Sequence, residues 1–92
     1  MDIFTIRLNE VMQESKMQQK EIAEKANLSK QAITDFKKGR SYPTIQTLRI
    51  LSEILNVTSD YLLGLEDYSG KKTYIKNSFN QIGNNSNVKI GD

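Results

Sequence analysis

The residues able to do chemistry are gathered in one place. The stretch "NLSKQAITDFKKGR", residues 27 to 40, carries Lys30, Gln31, Thr34, Asp35, Lys37, Lys38 and Arg40 around three apolar side chains, Leu28, Ile33 and Phe36. Between Ser29 and Arg49 five cations stand against the single carboxylate of Asp35, although the whole chain, with 13 basic and 11 acidic residues, has a net charge of only +2. Such gathering suits a surface that meets an anion, while a solvated helix face is the plainer reading. Amides, hydroxyls and ammonium groups of this kind hydrogen-bond a partner rather than make or break bonds. The chain contains neither Cys nor His, which removes thiol nucleophiles, disulfides, Cys/His zinc sites and histidine acid-base catalysis. No phosphate-cradling glycine loop is present either, so no catalytic residue, metal or cofactor is expected.

The elements that must position this stretch can be read from apolar spacing. Ninety-two residues suffice for one small domain with a modest core. Phe4, Leu8, Val11 and Met12 follow helical spacing after a potential Asp2 cap. Ile22, Ala23 and Ala26 mark a short second helix from about Gln18, with Glu21 placed to close a capping box. Ser29 caps a third, carrying Ile33 and Phe36 and ended by Gly39; Thr44, after Pro43, starts a fourth with Ile45, Leu48, Leu51, Ser52 and Leu55; Thr58 caps a short fifth ending at Leu62-Leu63-Gly64. An all-α domain of five short helices is predicted over residues 1–64. The opening "MDIFTIRLNEV" lacks a signal-peptide pattern and no run reaches the about 18 apolar residues of a membrane span, so a soluble, cytoplasmic chain without a membrane partner is expected.

Only about three residues, Asn27 among them, separate the second helical pattern from the third. Asn tolerates the left-handed conformation that a sharp turn requires, and Leu28 can plug the corner. Two short helices joined in this way form a helix-turn-helix. Here the sequence resembles the lambda-repressor/Cro-like, or XRE, family over residues 4–64. The resemblance rests on Gln19, Ile22-Ala23, Leu28-Ser29, Ile33, Gly39-Arg40, Pro43, Leu48, Leu55, Val57 and Leu62-Leu63-Gly64. Two departures occur together: where family members often carry an Arg in the first helix and an acidic partner before the glycine, this chain has Met12 and Lys37. That reads as an ion pair exchanged for apolar packing, a change that need not cost stability, with Lys37 released toward phosphate.

The resemblance implies a five-helix, lambda-repressor-like DNA-binding domain whose third helix, at about 29–38, enters the major groove of double-stranded DNA. Lys30, Gln31, Thr34 and Asp35, on the face opposite Ile33 and Phe36, are then the base-reading candidates. Lys can donate to guanine O6 and N7, Gln can bridge adenine N6 and N7, and Thr can meet a thymine methyl. Asp35 has other readings, as a cap or as a partner of Lys38. Gln19 is implied to touch phosphate and brace the reading side chains, and Ser29, Lys37, Lys38, Arg40, Ser41 and Thr44 to clamp the sugar-phosphate chain. The family often dimerises through the segment around the fifth helix, here Val57, Thr58, Tyr61 and Leu62, although Tyr61 could equally roof the core.

After Gly64 the composition turns to Asn, Gly, Ser and Lys, and residues 65–92 read as a polar tail outside the resemblance. Aligning "NSFNQIG" (77–83) with "NSNVKIG" (85–91) matches four of seven positions at an offset of eight. Two β-capable runs, 73–82 and 87–90, flank the turn-forming "GNNS". A lone hairpin is marginal in water, so the tail is expected either to be disordered or to pair with a second copy, adding an oligomerisation element. The function expected is a sequence-specific transcriptional regulator, a repressor binding a pseudo-palindromic operator as a homodimer. The competing expectation is an antitoxin-like DNA-binding protein whose tail binds a protein partner.

Overall fold

The computed structural model of the chain describes residues 2–73. The helices run α1 (Ile3–Ser15), α2 (Gln19–Ala26), α3 (Lys30–Lys38), α4 (Ile45–Leu55) and α5 (Ser59–Leu62). Four of them start where a short polar side chain accepts an otherwise unmet backbone N–H. Asp2 takes Thr5 N at 3.0 Å, Ser29 takes Ala32 N at 3.0 Å, Thr44 takes Thr47 N at 3.2 Å and Thr58 takes Tyr61 N at 3.0 Å. The exception is α2. Gln18 makes no capping bond, and Glu21, expected to close a capping box, pairs instead with Lys25 at 3.5 Å. A capping box needs the short Ser or Thr arm, and at this site the i, i+4 cation is the nearer partner for Glu21.

The first four helices stop where the backbone turns left-handed. Asn27 (φ 58°) ends α2, with Leu28 N bonded to Ala23 O at 2.8 Å; Gly39 (φ 73°) ends α3, with Arg40 N bonded to Asp35 O at 2.9 Å. These closures satisfy the last carbonyls of each helix and set the angles between them. Each helix then supplies one almost wholly buried aliphatic side chain, Leu8, Ile22, Ile33, Leu51 and Leu62, and Phe4, Val11, Met12, Ala23, Ala26, Phe36, Leu55 and Tyr61 complete the core. At about 1.5–3 kcal/mol for each large apolar side chain taken out of water, this shared core is the main force holding α3 in place. Leu28 packs against it from the turn, as its position at the corner predicts, and Met12 lies inside it.

The chain does not leave the core at Gly64. Gly64 has φ +81°, and a Cβ there would stand 2.9 Å from Ile3 Cγ2, so the close approach of the α5 exit to α1 requires glycine. Residues 65–73 then turn back: Glu66 and Lys72 form an antiparallel bridge, Thr73 N bonds Leu65 O at 3.0 Å, and Asp67 Oδ1 accepts from Ser69 N and Lys71 N at 2.9 and 3.0 Å. This turn is fastened to the helices. Arg7 donates from Nη1 to Tyr61 O and to Glu66 O, both at 2.7 Å, with its guanidinium carbon 4.2 Å from the Tyr61 ring centroid. Glu66 accepts from the Thr58 hydroxyl and, at 3.0 Å, from Lys72, whose ammonium also lies 2.6 Å from Asp60. The repeat at 77–91 and nearly all of the expected β-runs lie outside the described residues.

Candidate nucleic-acid interface

Helix α3 lies against the core through Ile33 and Phe36, and its other faces are open. Lys30 and Gln31 are exposed at its first turn; Thr34 and Asp35 follow, half-buried. Two amide side chains hold the helix from either end. Gln19, the first residue of α2, donates from Nε2 to Lys30 O at 3.0 Å and to Thr34 Oγ1 at 2.6 Å. An amide nitrogen has two hydrogens, so as arranged Gln19 is fully committed to bracing α3 and keeps only its carbonyl oxygen outward. Asn9, on α1, donates from Nδ2 to Thr5 O at 2.8 Å and to Lys37 O at 2.9 Å, tying the end of α3 to the middle of α1. Sequence reasoning missed Asn9. It lies one turn before Met12, where family members often carry the arginine of an ion pair, and it joins the same two helices through a backbone carbonyl, which no pairing of side-chain types announces.

The exposed polar side chains of α3 are not independent of one another. Asp35 Oδ1 accepts from Gln31 Nε2 at 3.0 Å and lies 3.4 Å from Arg40 Nη1. The partner of Asp35 is therefore Arg40, not Lys38. The left-handed turn at Gly39 brings Arg40 back to Asp35, whose carbonyl accepts from Arg40 N at 2.9 Å. Thr34, braced by Gln19, retains its methyl and its hydroxyl hydrogen for a partner.

At the end of α3 Lys37 is half-buried and Lys38 exposed, and beyond Gly39 the exposed residues Arg40, Ser41 and Thr44 follow. The loop that carries them is pinned to the start of α1: the Tyr42 hydroxyl donates to the Asp2 carboxylate, and the Tyr42 and Phe4 ring centroids are 5.9 Å apart. That bond holds the Asp2 carboxyl below its ordinary range and pushes the Tyr42 phenol up. The Thr44 side chain is occupied by its cap and by a bond to Thr47 Oγ1 at 3.1 Å. Its contribution to an anion would therefore come from the backbone. Ser29 accepts from Ala32 N yet keeps its hydroxyl hydrogen.

The four residues expected at a subunit contact divide. Val57 is half-buried and Thr58 exposed at the start of α5, whereas Tyr61 and Leu62 are 7% and 0% exposed within the chain itself. Tyr61 carries the Arg7 guanidinium on its face and has Tyr68 at a centroid distance of 5.2 Å. Burial first, then the Tyr68 hydroxyl, pushes its phenol up to about 12. Among the described residues no group of His, Cys, Asp or Glu is arranged to hold a metal, and no helix is long and apolar enough to cross a membrane.

Two short helices joined at a left-handed asparagine, the second capped by Ser29, polar on its outer face and braced against a shared core, define the helix-turn-helix class. The sequence pattern of the Helix-turn-helix family matches residues 8–62, and the chain belongs to that family, in its lambda-repressor/Cro-like form. It is 38% identical over 65 residues to the HTH-type transcriptional regulator ImmR of Bacillus subtilis (strain 168), a match covering 71% of this chain and 51% of that protein. It is 36% identical over 63 residues to the HTH-type transcriptional regulator DdrOP3 of Deinococcus deserti, covering 67% and 49%, and 30% identical over 64 residues to the HTH-type transcriptional activator BcrR of Enterococcus faecalis, covering 70% and 31%. The chain thus spans about half of two of these proteins and about a third of the other.

Proposed function

We propose that the chain is a sequence-specific DNA-binding transcriptional regulator that places α3 in the major groove. The observation that carries this reading is the state of α3: its reading edge, Lys30 and Gln31, is exposed, while the helix is held by Gln19 at one end and Asn9 at the other. A side chain that must match a base edge needs a fixed backbone behind it, and a merely solvated helix face does not need two bracing amides. The cations on either side of Gly39 continue the same surface, where a phosphate chain would run. By name two of the three relatives are transcriptional regulators and the third a transcriptional activator, which supports DNA-binding regulation.

Within it, the chain acts as a repressor and binds a pseudo-palindromic operator as a dimer. Repression needs only occupancy of the site, whereas activation needs a further contact. Two-fold pairing would set half-sites about 10 base pairs apart, centre to centre. Val57 and Thr58 have surface to offer a second copy; Tyr61 and Leu62 support that face from within. Selection of bound duplexes from random DNA tests the proposal. A site with two related half-sites should emerge, and Lys30→Ala or Gln31→Ala should each cost about 1–3 kcal/mol on it and relax preference at one base-pair position per half-site. Full affinity and unchanged preference in both variants would remove α3 from the groove.

A further inference from the structure

We propose that Asp35 does not read a base but positions Gln31, and so sets which base Gln31 accepts; the inference rests on α3 being the reading helix. Asp35 lies one helical turn after Gln31, and its Oδ1 accepts from the Gln31 amide at 3.0 Å. A carboxylate only accepts hydrogen bonds, so the Gln31 atom facing it is the nitrogen, and the two ends of the amide are no longer interchangeable. One N–H and the carbonyl oxygen remain, in one plane, without partners among the described residues. That pair is the complement of adenine in the major groove, where N6 donates and N7 accepts. Guanine offers two acceptors, N7 and O6, and would need both hydrogens of the nitrogen, one of which Asp35 holds. The tether therefore favours adenine and acts against guanine at the same position.

A carboxylate near DNA would ordinarily repel the phosphates. Here Arg40 stands 3.4 Å from the same Oδ1 and offsets that charge, with the Asp35 side chain 29% exposed and Gln31 further out. Asp35 is thus withdrawn behind the side chain it orients. Its pairing with an arginine of the clamp also links the orientation of a reading residue to the residues on the phosphate side.

The test uses the full 92-residue chain in selections from random duplex DNA, comparing wild type, Gln31→Ala, Asp35→Ala and Asp35→Asn, with matching thermal unfolding curves confirming that each is folded. Gln31→Ala identifies the position that Gln31 reads. At that position Asp35→Ala is expected to lower the adenine-to-guanine enrichment ratio about fivefold, the lower end of what a bidentate contact discriminates. Asp35→Asn, which keeps an acceptor oxygen for Gln31 without the charge, is expected to stay within about twofold of wild type on the same scale. A purely structural role would shift affinity at every position together and would not be rescued in this position-specific way. The inference is overturned if Asp35→Ala leaves the ratio unchanged, if it alters a position that Gln31→Ala does not touch, which would make Asp35 a direct reader, or if all positions move equally. Should wild type enrich no site at all, sequence-specific binding fails and this inference with it; a wild-type site with an insensitive Asp35 sinks only the inference.

Discussion

Arg7 offers the sharpest test of how the frame behind α3 is built. Its Nη1 bonds two carbonyls, Tyr61 O and Glu66 O, at 2.7 Å each, and its guanidinium lies 4.2 Å from the Tyr61 centroid. Hydrogen bonds to a charged donor contribute about 1.5–3 kcal/mol each, and a partly exposed cation–π contact adds about 0.5–1 kcal/mol. Tyr61 O keeps a bond from Gly64 N, so the lower end applies. Arg7→Ala is expected to cost about 3–4 kcal/mol, which in a domain of this size lowers the melting temperature by about 15–25 °C. Circular dichroism at 222 nm across a thermal ramp measures this directly. Arg7→Lys, which keeps the charge but replaces the planar guanidinium over the Tyr61 ring with a compact, more strongly hydrated ammonium, should recover only part of the loss. DNA affinity, measured well below the lowered melting point, should stay within about twofold, because residues two apart on a helix face different ways and the side of α1 that meets α3 is carried by Thr5 and Asn9. A melting shift under about 3 °C would mean that Arg7 is solvated in place and the 65–73 turn is not fastened through it.

Two further outcomes follow from the charges. Lys38→Ala should weaken specific and random DNA about equally and reduce the slope of log K against log salt by about 1 per half-site; an unchanged slope with altered base preference would move Lys38 from clamp to reader. Stability should fall in acid: the Thr58 hydroxyl first, then Lys72, holds Glu66 below its ordinary 4.5, and Ser69 first, then the Lys71 backbone, does the same for Asp67 below 3.8. Groups with depressed pKa stabilise the fold above their unfolded values and lose that contribution as pH drops through the folded ones. The melting temperature should therefore be flat down to about pH 5.5 and then decline, less steeply in Glu66→Gln, in unfolding curves taken from about pH 7 to about pH 3.

The helices were legible because their signals are local. A cap at Asp2, Ser29, Thr44 or Thr58, a left-handed stop at Gly39 and an apolar stripe such as Leu8, Val11 and Met12 each need only a few consecutive residues to be recognised, and all appear in the structure. The cationic stretch was legible for the same reason. Bonds joining distant residues were not. Arg7 reaches Glu66 across 59 positions and Asn9 reaches Lys37 across 28, through backbone carbonyls that carry no identity in the sequence. The 65–73 turn looked like the start of a polar tail because its contacts are side chains meeting α1 and α5, not a periodic apolar face. Likewise Tyr61 offered two readings, and only its position beneath Arg7 and beside Tyr68 shows how little of it faces outward.

What the frame does for recognition can be argued from its order along α1. Thr5 and Asn9 face α3, with Thr5 wholly buried and a Cβ on Gly39 reaching 3.4 Å from its hydroxyl oxygen; Arg7 faces α5 and the turn. One helix therefore fastens α3 on one side and the closing turn on the other, so under the proposed reading α3 is ordered before any DNA arrives. Association then immobilises a few long side chains, each at about 0.5–1.5 kcal/mol, rather than a helix. Even among those, Gln31 is already tethered to Asp35, which leaves Lys30 as the reading side chain with the most freedom to lose. A tethered reader discriminates more sharply than a mobile one because its wrong-base geometries are strained and not merely less favourable. Of the two exposed readers, Gln31 is thus the one expected to set the base preference, and Lys30 the one expected to contribute affinity with a broader tolerance of sequence.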